Sequence, residues 1–328
     1  MPHQIAVITG AGAGIGRATA RTLARAGCDV ALIGRNTARL EDAAAELAEL
    51  HIRTLTITAD VTDAEALERA ADEVEATLGP ITLWVNCAGA GVSGQFVELS
   101  PKEIQRATDV TYLGTVFGTR AALIRMRRRG YGTIVNLDAI SLPRPLRSIE
   151  SGARAAIRAF TESLRPEILH DGDRIHLSLV SLPAINTPRF VWTRNRTGKR
   201  LRPAGPLFEP EIAAEAISRA AFGRHRDVRV GLSGIGRRVA AFLAPTLVDR
   251  RQAVHAYHQQ LEKYPAPDDA PDNLFAPVAG AHGAHGPFDH LSRRGMPLLL
   301  TTTLRTILTG TVLAAGAAAL VTALRRKR

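Results

Sequence analysis

The first chemistry in this chain sits in one short turn, Gly10-Ala11-Gly12-Ala13-Gly14-Ile15-Gly16, between an apolar run and an amphipathic stretch. Glycines at this spacing let the main chain turn sharply and approach a pyrophosphate closely. A helix starting there points free N–H groups and its positive dipole end at the phosphates. Arg17 follows the turn directly, and Arg35 stands in Gly34-Arg35-Asn36 at the end of the next apolar run. An acid at that second place would read a ribose diol. Two guanidiniums suit a 2′-phosphate instead, because arginine meets phosphate with a planar fork. The expected ligand is therefore NADP(H) in preference to NAD(H).

These residues need a scaffold that presents them at one sheet edge. Apolar runs predict strands over 4–9, 29–34, 53–59, 81–86, 133–137, 174–181 and 227–232. Helical periodicity fills the intervals: from the glycine turn to about 26, then 37–50, 63–78, 101–129, 150–170 and 210–222. Such alternation predicts an α/β fold, a doubly wound parallel sheet of the Rossmann type, with ligands at the carboxyl ends of the strands. Three segments follow: 1–262 as the nucleotide-binding domain, 263–295 as a Pro/Gly/His-rich linker without a sustained period, and 296–328 as an apolar helix with a basic end.

Several strings together resemble the short-chain dehydrogenase/reductase family over about residues 4–235. They are Thr9–Gly16 (TGAGAGIG), Asp60-Val61, Asn86-Cys87-Ala88-Gly89, IVNLDA, AFTESL ending at Leu164, and LPAINTP at Leu182–Pro188. The resemblance implies an NADP(H)-dependent oxidoreductase. It implies that Asp60 and Val61 contact the adenine, that Asn86, Ala88 and Gly89 lie along the nucleotide, and that Pro183, Ile185 and Thr187 approach the nicotinamide.

The same resemblance exposes a gap. The family moves a proton with a tyrosine, tunes it with a lysine four residues on, orients substrate with a serine and supports a relay water with an asparagine. Carbonyl–alcohol hydride transfer requires that proton. Here the four positions hold Glu150, Arg154, Ala139 and Thr111. No tyrosine occurs between Tyr131 and Tyr257 and no lysine between Lys102 and Lys199, so no change of register restores the pair. Arginine stays protonated and cannot relay a proton, though it can still hold a ribose, so Arg154 stays a cofactor contact. Glutamate starts ionised, near a pKa of about 4.3, and acts as an acid only after a rise of about two units. Glu150 and Arg154 stand at i, i+4 in the orientation favoured for a helix ion pair. The expected protein is thus a nucleotide binder with weak or no conventional turnover, a sensor or partner. The alternative is an atypical oxidoreductase of a lipophilic carbonyl or alcohol using a non-tyrosine donor. Tyr112, Asp138 and Ser141 are further polar residues near the cleft.

Composition narrows the rest. Hydrophobic content of 45% with 22% charged residues describes a folded chain rather than a disordered one. The net charge of +11 comes mainly from arginine, yet zinc-ligand spacing, aromatic RNA-binding motifs and a basic zipper are all missing, so nucleic acid is not an expected partner. Two cysteines in apolar stretches imply no disulfide framework and point to a reducing cytosol. A first strand starting at Gln4 leaves no room for a signal peptide. His282, His285 and His290 in the linker do not by themselves fix a metal geometry, and no metal is expected. The uncharged stretch 306–324 is 19 residues long. As a helix it would span about 28 Å, close to a bilayer core, and Arg325-Arg326-Lys327-Arg328 follows it. A cytoplasmic domain tethered to membrane through this tail is the expectation, with a homo-oligomer as the expected assembly and arginines at 189–206 suggesting an acidic or polar visitor.

Overall fold

The computed structural model describes residues 4–139, 143–231, 235–267, 269–280, 282–295 and 297–302. Its centre is an eight-stranded sheet. The strands are β1 (Ile5–Thr9), β2 (Asp29–Gly34), β3 (Thr54–Thr58), β4 (Leu83–Asn86), β5 (Tyr131–Ala139), β6 (Arg174–Leu182), β7 (Asp227–Val230) and β8 (Leu299–Thr301), in the order β8-β7-β6-β5-β4-β1-β2-β3. All neighbours are parallel except β7 and β8. Every residue of β1 and β4 is buried, as expected of strands covered on both faces. Side chains alternate between two cores: Ala6 and Ile8 join one with Leu23 and Ile217, while Ile5 and Val7 join the other with Trp84 and Met126.

The strand order reverses at β1, which pairs Ala6 with Val30 of β2 on one side and with Leu83 of β4 on the other. A crevice opens at such a switch point, outside the carboxyl ends of the strands. Seven helices flank the sheet: α1 (Gly14–Arg25), α2 (Thr37–Ala45), α3 (Ala64–Thr77), α4 (Pro101–Thr108), α5 (Gly114–Arg129), α6 (Ser148–His170) and α7 (Pro210–Gly223). Their starts are chemically marked. Asn36 accepts from the Arg39 amide (2.9 Å), Asp63 from the Ala66 amide (2.9 Å), and Ser100 with Glu103 forms a capping box.

Three expectations need correction. The single helix over 101–129 is interrupted by a five-residue π stretch, Asp109–Leu113. Such widened turns cluster at functional sites, and this one carries Thr111. The segment read as a linker, 263–295, is instead bound to the domain. Leu261–Pro265 pairs with Lys199–Leu201 as a small antiparallel ribbon, and residues 272–280 and 282–291 form a strap beside the crevice, with Leu274 fully buried. It has no apolar period because its attachment is irregular: main-chain carbonyls, a few buried apolar side chains such as Leu274 and Val278, and side-chain bonds of Asp272 and Asp289 share it. Finally, residues 299–301 of the apolar segment do not begin a helix; they add β8 antiparallel to β7, with Leu300 opposite Arg229. Among the described residues no helix is long and apolar enough to cross a membrane. The proposed span 306–324 lies outside the described residues.

Candidate functional site

The crevice holds two joined cavities. The narrower, about 200 Å³, follows the glycine turn from Arg35, Asp60 and Val61 at one end, past Gly12, Gly14 and Ile15, to Ala88, Gly89, Arg154 and Thr187. The larger, about 500 Å³, continues from Ile15, Cys87, Arg154 and Thr187 over Pro183 and Ile185.

The glycine turn is built for close approach. Gly10 has φ of +68°, and a Cβ there would meet the Ala88 main chain at 2.9 Å; one on Gly16 would lie 2.2 Å from the Gly10 oxygen. Thr9 fastens the turn to β4 by accepting from the amides of Cys87 and Ala88, each at 3.2 Å. The turn and the first helix thus fit a dinucleotide's pyrophosphate.

The basic residues divide differently from expectation. Arg17 is buried, and its guanidinium binds Asp42 (2.7 Å) and Glu46 (2.6 Å) on α2. It does not border the crevice and is corrected from phosphate reader to an α1–α2 clamp. Arg35 does border it, and so does Arg39 one turn into α2, which sequence reasoning missed. The signal that could have found Arg39 is its i, i+4 spacing from Arg35 about the Asn36 cap. Arg39 lies over the Trp192 ring, 4.8 Å from its centroid, and donates to the Val278 carbonyl (2.8 Å). Arg35 donates to the carbonyls of Asn273 (2.5 Å) and Phe275 (3.2 Å) in the strap. Burial lowers the pKa of both. Asp60 is ion-paired with Arg106 and lies 4.0 Å from Arg35. Burial would raise its pKa, but the bonds from Arg106 and Thr62 bring it below the ordinary value.

Asn86 is also reassigned. Its side chain is buried in the core, accepts from Trp84 Nε1 (2.8 Å) and donates to Asn136 (2.8 Å), so it supports β4 from within. Ala88 and Gly89 remain along the crevice as expected.

Of the four substituted catalytic positions, Arg154 borders both cavities and Glu150 the larger one. Thr111, on the π stretch, donates to the Ala90 carbonyl (2.8 Å) and accepts from its amide (3.2 Å), pinning the chain beside Gly89. Ala139 ends β5. Arg154 borders both cavities and donates to the Leu137 carbonyl (3.0 Å). Its reach toward the nucleotide is close: a Cβ on Gly89 would lie 3.1 Å from Arg154 Nη2. Glu150 is bonded not by Arg154 but by Arg189, Nη1 to Oε1 at 2.5 Å. Burial would raise the Glu150 pKa, but Arg189 and Arg147, then Arg154, hold it at about 2. The side chain is a fixed carboxylate. Asp138 is ion-paired with Arg158. Tyr112 turns aside to stack edge-on with Phe160, and Ser141 lies outside the described residues. Burial drives the Cys87 thiol up to about 12, against a bond from Thr19 and the charge of Arg154, so it is no nucleophile at neutral pH. Among the described residues, no tyrosine, lysine or histidine borders either cavity, and no group of three His, Cys, Asp or Glu is placed to hold a metal.

The comparisons with known proteins agree with the fold. A family profile described as short chain dehydrogenase matches residues 4–197. An uncharacterized oxidoreductase of Bacillus subtilis, YxnA, is 30% identical over 288 residues, covering 86% of this chain and 80% of that protein. The dehydrogenase/reductase SDR family member 7B of Bos taurus is 34% identical over 195 residues, 56% of this chain and 59% of that one. Among solved structures, a short-chain dehydrogenase from Streptomyces avermitilis superposes with a TM-score of 0.63 at 28% identity, covering 76% of this chain and 98% of its own. An alcohol dehydrogenase from Thermococcus sibiricus complexed with 5-hydroxy-NADP has a TM-score of 0.56 at 28% identity, covering 66% of this chain and 88% of its own.

Proposed function

This chain belongs to the short-chain dehydrogenase/reductase family of oxidoreductases, and from that premise we propose that it binds NADP(H) without conventional carbonyl–alcohol turnover. The observation that carries the proposal is Glu150: the group in the tyrosine's place is an ionised carboxylate held by Arg189, beside an arginine that cannot take the lysine's part in proton transfer.

A bound nicotinamide would supply the hydride. The chain's own residues divide the remaining work. The turn from Gly10 to Gly16 takes the pyrophosphate, and Arg154 reaches the nicotinamide ribose. Arg35 and Arg39 take the 2′-phosphate, exchanging strap carbonyls for phosphate oxygens. The Thermococcus relative's NADP analogue supports that choice of cofactor, as does the lack of an acid in Gly34-Arg35-Asn36. Among the described residues, no tyrosine, lysine or histidine then faces the reacting oxygen. A sensing or partner role follows from binding alone.

Fluorescence titration tests the binding half. NADPH is expected to bind at least tenfold tighter than NADH. Arg35→Ala, which removes charge-assisted bonds, should cut NADPH affinity about tenfold while leaving NADH nearly unchanged. Equal affinities for the two nucleotides would overturn the preference, and no saturable NADPH signal would overturn the reading itself.

A further inference from the structure

The larger cavity has more positive charge than its own acids can neutralise. Arg147, Arg154, Arg158 and Arg189 border it, against Asp138 and Glu150. Both carboxylates are already engaged, Asp138 by Arg158 and Glu150 by Arg189. Arg154 spends one nitrogen on the Leu137 carbonyl. Arg147 is different again: among the described residues its side chain makes no hydrogen bond and no ion pair. It is half-buried, and burial lowers its pKa, with Glu150 pulling up and Arg189 pushing down. A guanidinium partly removed from water with no hydrogen bond to offset the loss is costly, and the charge of Glu150 nearby is already shared with Arg189. The preceding Leu146 holds φ of +64°, a left-handed conformation uncommon for a bulky side chain. The wall also carries an apolar stretch, Leu182, Ala184, Leu201, Pro203 and Pro206, interspersed with the polar Ser151, Thr193 and Gln260. A volume of about 500 Å³ suits a ligand of moderate size rather than a single small ion.

We propose that the larger cavity binds an amphipathic organic acid, its carboxylate taken by Arg147 with Arg154 and its apolar body laid on the leucine and proline wall. The cofactor's own phosphates do not account for the surplus charge, because Arg147 borders only the larger cavity. The inference rests on the nucleotide reading in one respect only, that the acid would lie next to the nicotinamide end of the narrower cavity.

Equilibrium binding of octanoate and octan-1-ol to the full chain, with and without saturating NADPH, tests it. Octanoate is expected to bind at least tenfold tighter than the alcohol. Arg147→Ala should remove that preference by weakening octanoate about tenfold while the alcohol and NADPH stay within twofold; Arg147→Lys should keep most of the preference. Equal binding of acid and alcohol, binding of neither, or a preference that survives Arg147→Ala in a protein with unchanged near-UV circular dichroism would overturn the proposal. The NADPH titration in the same samples keeps the two readings apart. Octanoate showing the expected pattern without NADPH binding leaves this inference standing and removes the cofactor reading. NADPH binding with no preference for the acid does the reverse.

Discussion

Glu150 shows how far residue types alone carry the argument. Its i, i+4 spacing from Arg154 was a sound reason to expect a helix pair. The bond forms instead with Arg189, which stands 39 positions away in sequence and enters only through the fold. What was legible was the absence: no tyrosine and no lysine within reach of the segment. What was not legible was the direction of the Glu150 shift, because three guanidiniums act on it, Arg154 from α6, Arg147 from its N-cap and Arg189 from a short helix, Arg189–Trp192, after β6. The shift has a stability consequence. A carboxylate held at about 2 in the fold, against about 4.3 in the unfolded chain, contributes fully above the unfolded value. That contribution is lost as pH falls through about 2. Glu150→Gln is therefore expected to cost on the order of 2 kcal/mol at pH 7 by denaturant unfolding, with a smaller gap at pH 3. A gap that widens on acidification would show that the carboxylate is not held low.

At the scale of elements, periodicity located every strand of the parallel sheet and most of the flanking helices within a few residues, because each buries a regular face; it read α4, the π stretch and α5 as one helix. It failed where attachment is irregular, much of it through the main chain. The strap over 272–280 and 282–291 is fastened by Arg35 and Arg106 to the carbonyls of 273–275, by Arg39 to Val278, and by the Gly14 amide to Gly283 (3.2 Å). Carbonyls have no side-chain signature, so Pro, Gly and His there read as a solvated linker. The sequence did contain one cue, Leu274, which is fully buried beneath the strap. Leu274→Ala is expected to cost about 2–3 kcal/mol. It should also expose residues near 275 to limited proteolysis and weaken NADPH binding, since the strap orients Arg35. A variant with wild-type stability and protease resistance would return the segment to the status of a linker.

For the molecule as a whole, strand alternation was enough to anticipate the sheet and the crevice at its switch point, because right-handed crossovers leave few other arrangements. The antiparallel β8 was not anticipated; a short apolar run can serve a strand or a helix, and only its partner β7 decides. Within this frame the proposed function comes down to one point: a crevice shaped for a dinucleotide that, among the described residues, brings no tyrosine, lysine or histidine to a carbonyl oxygen. The most direct measurement is NADPH consumption by the full chain at saturating nucleotide, against aldehydes and ketones with and without a carboxylate. The account predicts consumption at the uncatalysed rate, with one equivalent of NADPH bound. Steady turnover by the unaltered protein that disappears in Glu150→Gln would contradict it.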